Sequence, residues 1–179
     1  GYDFSRIRPL GARINGTGTH ASGPCHFMDV FDKACLALQT MGARRGAQMA
    51  VLRCDHPDVL NFIAAKRTPG RWTTFNISVG ITDEFMRAVE QDQTWDLVHR
   101  VSPRQLKPAA TGDKLKTGPY VRGDELWVYE RVSARTLWAA ISEAAHHCAE
   151  PGLLFLDTID RDNKKVVMNL PEGLIEMYL

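Results

Sequence analysis

The chain has 179 residues, about the size of one ordinary domain. Its 44% apolar and 24% charged content is that of a folded globular protein, with no apolar run long enough for a membrane span and no signal-peptide pattern. A net charge of +1 exerts no global pull toward nucleic acid or a membrane surface, so any anion site has to be local. Tyr2 to Ile7 alternates as a short strand, and a glycine-rich stretch with Gly11, Gly16, Gly18 and Gly23 leads to Pro24. From Phe27 the period becomes helical. Phe27, Phe31, Ala34, Leu38 and Met41 share one face, and Gly42 is a natural stop. Ala47 to Leu52 reads as a buried strand. Asp55 then stands as the N-cap of a helix with Pro57 and Asp58 in its first turn and Lys66 and Arg67 in its last. Thr68-Pro69-Gly70 ends that helix.

Phe75 to Ile81 is a third strand, and Thr82 caps the next helix, with Asp83 and Glu84 in its first turn. Trp95 to Val101 reads as a fourth strand, and Ser102 to Gly123 as a polar loop or insertion. Leu126 to Val132 is strand-like. Ser133 caps a long helix whose apolar face holds Leu137, Ile141, Ala144 and Cys148, the thiol expected to be buried and inert. Pro151-Gly152 turns the chain into an apolar strand, Leu153 to Leu156, that ends at Asp157. Strands alternating with helices predict an α/β fold with largely parallel pairing. Cys25, Cys35, Cys54 and Cys148 form no disulfide framework, which fits a reducing, cytoplasmic compartment. Both ends read as cut, as in a piece of something larger.

The stretch Met41-Gly42-Ala43-Arg44-Arg45-Gly46-Ala47 carries the clearest chemistry. Glycine allows close backbone approach, and arginine offers a rigid charged fork that matches phosphate. Such a loop suits an anion, above all a nucleotide; a merely basic helix-to-strand turn is the bland alternative. Gly16-Thr17-Gly18 lacks the strand before it that a Rossmann loop needs, but with Arg8 and Arg13 beside it the loop suits a phosphate chain. Cys25-His26, Cys54 with His56, and His146-His147-Cys148 match no zinc spacing, so no metal is assigned. Asp157 reads as an active-site group or a strand-terminating cap. Trp72, Trp95, Trp127 and Trp138 read as core or core-edge.

Taken in series, several motifs resemble the large catalytic subunit of ribonucleotide reductases, in particular the adenosylcobalamin-dependent (class II) members. They are Gly1 to Pro9 with Gly11-Ala12, Gly16-Thr17-Gly18, Ala21 to Pro24, Phe27-Met28, Arg44 to Ala47, His56-Pro57-Asp58, Phe75 to Val79, Thr82-Asp83 with Phe85-Met86, and Glu150 to Asp157. The resemblance covers residues 1–163 and leaves 164–179 as an unassigned, divergent tail. It implies one part of a ten-stranded α/β barrel, in an enzyme that makes deoxyribonucleotides by thiyl-radical chemistry with adenosylcobalamin. It implies that Arg8, Gly16, Arg44 and Arg45 bind a nucleotide effector (a deoxynucleoside triphosphate or ATP). Gly46 and Ala47 then face the base of the ribonucleotide substrate. The Phe27–Met41 helix resembles one that joins two subunits, which makes a homodimer and the remainder of the barrel the expected partners, with no membrane and no nucleic acid. The family's Asn-Pro-Cys-Gly-Glu radical motif is missing after Asp157. The segment is therefore expected not to turn over alone, nor to hold adenosylcobalamin alone. A non-catalytic nucleotide-binding or partner-docking module is the alternative.

Overall fold

A computed structural model describes residues 1–12, 14, 19–38, 46–101 and 126–162. Four strands form one parallel sheet in the order β1 (Tyr2–Asp3), β2 (Gln48–Arg53), β3 (Phe75–Ile81) and β6 (Gly152–Phe155). In β3, every residue except Asn76 is buried, as expected for a strand covered on both faces. Its bounds are those read from the sequence. The remaining strands, β4 (Thr94–His99) and β5 (Trp127–Ser133), pair antiparallel beside the sheet. Two bonds tie this hairpin to the end of β2. Trp95 Nε1 donates to the Cys54 carbonyl at 3.1 Å, and the Val98 amide donates to the Asp55 carbonyl at 2.7 Å.

Among the described residues, five helices accompany the strands: α1 (Pro24–Ala37), α2 (Val59–Ala65), α3 (Asp83–Glu90), α4 (Ala134–Cys148) and α5 (Leu156–Asp162). Helix α4 packs on α2 and α3 through Leu137, Ile141 and Ala144, all buried as their spacing predicts. Both hydroxyl caps are in place. Thr82 accepts from the Phe85 amide at 3.1 Å, and Ser133 accepts from the Thr136 amide at 3.3 Å. Thr82 is buried, so Thr82→Ala is expected to cost about 1 kcal/mol. A denaturant midpoint unchanged by that substitution would contradict the cap.

The structure corrects several expectations. β1 stops at Asp3 because the next residues turn; the Ile7 amide closes back on the Phe4 carbonyl at 3.0 Å. Asp55 does not cap α2: its carboxylate pairs with the Arg53 guanidinium, and Asp58 takes the cap position. Asp157 lies in the first turn of α5, where its carboxylate accepts from the Asp83 amide at 2.7 Å. Cys148 is exposed, because the last turn of α4 runs past the core.

Helix α1 differs most. Its buried residues are Pro24, Cys25, Met28 and Asp32, while Phe27, Val30, Phe31 and Leu38 are exposed. The carboxylate of Asp32 explains how a charged residue is buried: it accepts from the Thr74 amide at 3.0 Å and the Thr74 hydroxyl at 2.8 Å. Of the apolar stripe read from the sequence, Phe31 leans on Tyr2 and Phe4, with ring centres 5.1 and 6.0 Å apart, while Phe27 and Leu38 stay exposed. Met41 and Gly42 lie outside the described residues.

Candidate functional site

In parallel α/β sheets, ligand sites gather at the carboxyl ends of the strands. There, the segment after β1 runs alongside β2, with Phe4 N–H donating to the Val51 carbonyl and Arg53 N–H donating to Ser5 Oγ, both at 3.0 Å. Beyond it, the connector from Arg8 to Gly23 leaves and returns as two limbs. They are joined by the Gly11 amide on the Ala21 carbonyl at 2.8 Å and the Ala21 amide on the Ala12 carbonyl at 2.9 Å. The returning limb ends at Gly23, where φ is +80° and a Cβ would stand 3.0 Å from both Asp58 Oδ2 and Leu10 N. Only glycine meets both demands.

Two side chains from the turn between β2 and α2 hold this connector. Asp58 Oδ2 accepts from the Leu10 amide at 2.8 Å, and His56 Nε2 lies 3.0 Å from the Ile7 carbonyl. The Asp58 amide donates to His56 Nδ1 at 3.0 Å, so Nδ1 is the acceptor and Nε2 carries the proton given to Ile7. Burial pushes the His56 pKa down and the Asp58 pKa up. His99 stacks edge-on at 5.6 Å from His56, with its Nδ1 accepting from the Val101 amide at 3.1 Å. Burial, then the neighbouring His56, push His99 down to about 4. The backbone of Arg6 opposes this shift, and among the described residues His99 Nε2 has no partner within hydrogen-bonding geometry.

Beside the connector lies a cavity of about 380 Å³, bordered by Leu10, Ser22, Gly23, His26, Asp58 and Asn61. Arg71 closes one side, its guanidinium held two-pronged on Asp29 at 3.0 Å for both contacts. The thiols nearby are poor nucleophiles. Burial pushes Cys25 up to about 12 and Cys54 up likewise, which keeps both protonated at neutral pH. Among the described residues no three His, Cys, Asp or Glu side chains gather to hold a metal ion, and no helix is long and apolar enough to cross a membrane.

Of the residues singled out in the sequence, Arg8 stands exposed at the carboxyl end of β1. Gly46 and Ala47 lie at the amino end of β2, both exposed, and a Cβ on Gly46 would meet Cys35 Sγ at 2.6 Å. Gly16, Arg44 and Arg45 lie outside the described residues. Strand β2 is roughly 16 Å long at the usual rise per residue. Arg8 and the Gly46–Ala47 pair are therefore at opposite ends of the sheet within one copy. His56 and Asp58 carry the connector yet were not assigned to the site from the sequence. Their only signal was the His-Pro-Asp triplet, in which the residue before proline is held out of the helix.

Residues 1–175 match the family described as ribonucleotide reductase, barrel domain. The chain belongs to that family. Its relatives include the vitamin B12-dependent ribonucleoside-diphosphate reductase of Mycobacterium tuberculosis, 43% identical over 91% of this chain and 20% of that protein. The protein of the same name from Thermoplasma acidophilum is 37% identical over 91% of this chain and 18% of its own length. The ribonucleoside-diphosphate reductase subunit alpha of Helicobacter pylori is 27% identical over 91% and 21%. This barrel segment thus spans about a fifth of the curated relatives it matches. Among the described residues its sheet is open rather than closed, with β1 and β6 at the edges.

Proposed function

We propose that this reductase segment reads the identity of a nucleotide effector and passes it to a site where ribonucleotides are reduced to deoxyribonucleotides. Arg8, Gly16, Arg44 and Arg45 contact the effector, a deoxynucleoside triphosphate or ATP, and Gly46 and Ala47 face the substrate base. The observation that carries this is the course of α1. It starts at the Arg8 connector, ends toward Gly46, and exposes Phe27, Val30, Phe31 and Leu38 along its length. A second copy packed on that stripe about a two-fold axis sets one copy's Arg8 connector beside the other's Gly46–Ala47. The separation of the two groups within one copy is then bridged between copies.

The reaction itself belongs to the complete enzyme. Its thiyl radical is assigned to a cysteine in the remainder of the enzyme, since this segment holds no Asn-Pro-Cys-Gly-Glu motif. Adenosylcobalamin is proposed as the cofactor of that complete enzyme, in line with the names of the relatives. The described residues do not fit the group. A corrin ring with its nucleotide tail is too large for the 380 Å³ cavity, so no step through it is assigned to these residues.

The test is substrate selection in the full-length protein that contains this segment. Each charged hydrogen bond to phosphate contributes about 1.5–3 kcal/mol. Arg8→Ala or Arg45→Ala should therefore weaken half-saturation by effector roughly tenfold to a hundredfold. Selection among the four ribonucleotides that stays as sharp as before would count against the assignment. The interface is checked separately: Val30→Glu should shift sedimentation toward the monomer and blunt effector response with it.

A further inference from the structure

We propose that Asp58, together with His56, is a positioning residue that latches the Arg8 connector in its effector-reading geometry. The proposal rests on the reading of Arg8 given above, and it concerns residues that make no effector contact themselves.

The bonds bracket Arg8. His56 holds the carbonyl of Ile7, one residue before it, and Asp58 holds the amide of Leu10, two residues after it. Between them Pro9 has a fixed φ and no N–H to give, and Arg8, as the residue before proline, is confined to extended backbone. Four successive residues are thus held at both ends and stiff in the middle. The returning limb is held as well, because Gly23 packs against the same carboxylate.

Asp58 gives up a local role to do this. It occupies the N-cap position of α2, yet its side chain accepts no amide of that helix. Its carboxylate is buried and reaches across 48 positions of sequence to Leu10. His56 is tied to it through the Asp58 amide, so the pair moves as one unit. A guanidinium on a pre-ordered backbone loses less freedom when it meets phosphate, which raises affinity without a new contact.

The experiment uses the full-length protein and the variants Asp58→Ala and Asp58→Asn. Asp58→Ala should raise the half-saturating effector concentration about tenfold, the loss of one buried charged hydrogen bond. Turnover at saturating effector should stay unchanged. Asp58→Asn keeps an oxygen for the Leu10 amide and should restore most of the affinity. Hydrogen exchange at the Leu10 amide should be slow in the wild type, faster in Asp58→Asn and fastest in Asp58→Ala. A wild type that responds to effector together with an Asp58→Ala variant that responds equally well overturns the latch alone. A wild type with no effector response overturns the reading of Arg8, and the latch with it. If Asp58→Ala does not fold, Leu10 exchange decides: an amide as fast in the wild type as in a disordered chain overturns the proposal.

Discussion

Trp72→Ala is expected to lower the free energy of unfolding by about 3–5 kcal/mol, the range for losing a fully buried aromatic ring. Trp72 has no exposed surface and packs on Phe62 with ring centres 5.9 Å apart. Its indole N–H donates to Asp29 Oδ1 at 2.6 Å, and the Arg71 guanidinium lies 4.7 Å from the ring centre. Because Asp29 belongs to α1 and Phe62 to α2, this one ring joins both helices to the approach to β3. Its φ of 52° is a region that bulky residues avoid, so the surrounding packing has to hold it there. Trp72→Phe keeps most of the ring contact and loses one charged hydrogen bond, while both Asp29 oxygens stay on Arg71. It should cost less than alanine, about 1–3 kcal/mol. Urea midpoints with unchanged slopes measure both. A loss under 1 kcal/mol for alanine would mean that Trp72 does not hold the helices together.

The second large effect is acid sensitivity from His99. In an unfolded chain its imidazole protonates near the ordinary value of 6.5, whereas in the folded protein burial, His56 and Arg100 delay this to about 4. Between those values the unfolded state binds more protons, so stability rises with pH across the window. The contribution is fully present above about 6.5 and lost as the pH falls to about 4. At 1.36 kcal/mol for each unit it amounts to about 3 kcal/mol. His56 shifts in the same direction, chiefly by burial, and adds to the loss. Asp58 works against it, since burial raises its carboxyl and the folded state takes up that proton first. Melting temperatures at pH 7, 5.5 and 4.5 should fall steeply in the wild type and less steeply in His99→Gln. Equal slopes would show that His99 is not the sensor.

Much of the fold was legible because the signals are local. β3 was read with its final bounds since its apolar run is closed by a cap whose acceptor and donor lie three residues apart, Thr82 and Phe85. The face of α4 followed from its 3.6-residue period. The period of α1 was equally clear, yet periodicity states which residues share a face and not which face is covered. Asp32 was chosen for burial by Thr74, 42 positions away at the approach to β3, and the helix packs on α2. The antiparallel pairing of β4 and β5 was likewise outside the local pattern, because strand direction is set by how the intervening chain returns.

The candidate site divides in the same way. The family was readable from motif order, whereas Arg44 and Arg45 lie outside the described residues. That His56 and Asp58 carry the first connector was not readable, because their partners Ile7 and Leu10 stand 49 and 48 positions away. Capping, periodicity and glycine placement act within four or five residues, and they determined the helices, the strands and the connectors of this chain. Which buried carboxylate meets which amide, which face of α1 stays bare, and which ends of the sheet hold Arg8 and Gly46 depend on desolvation across the assembled sheet. Only the tertiary structure decided them.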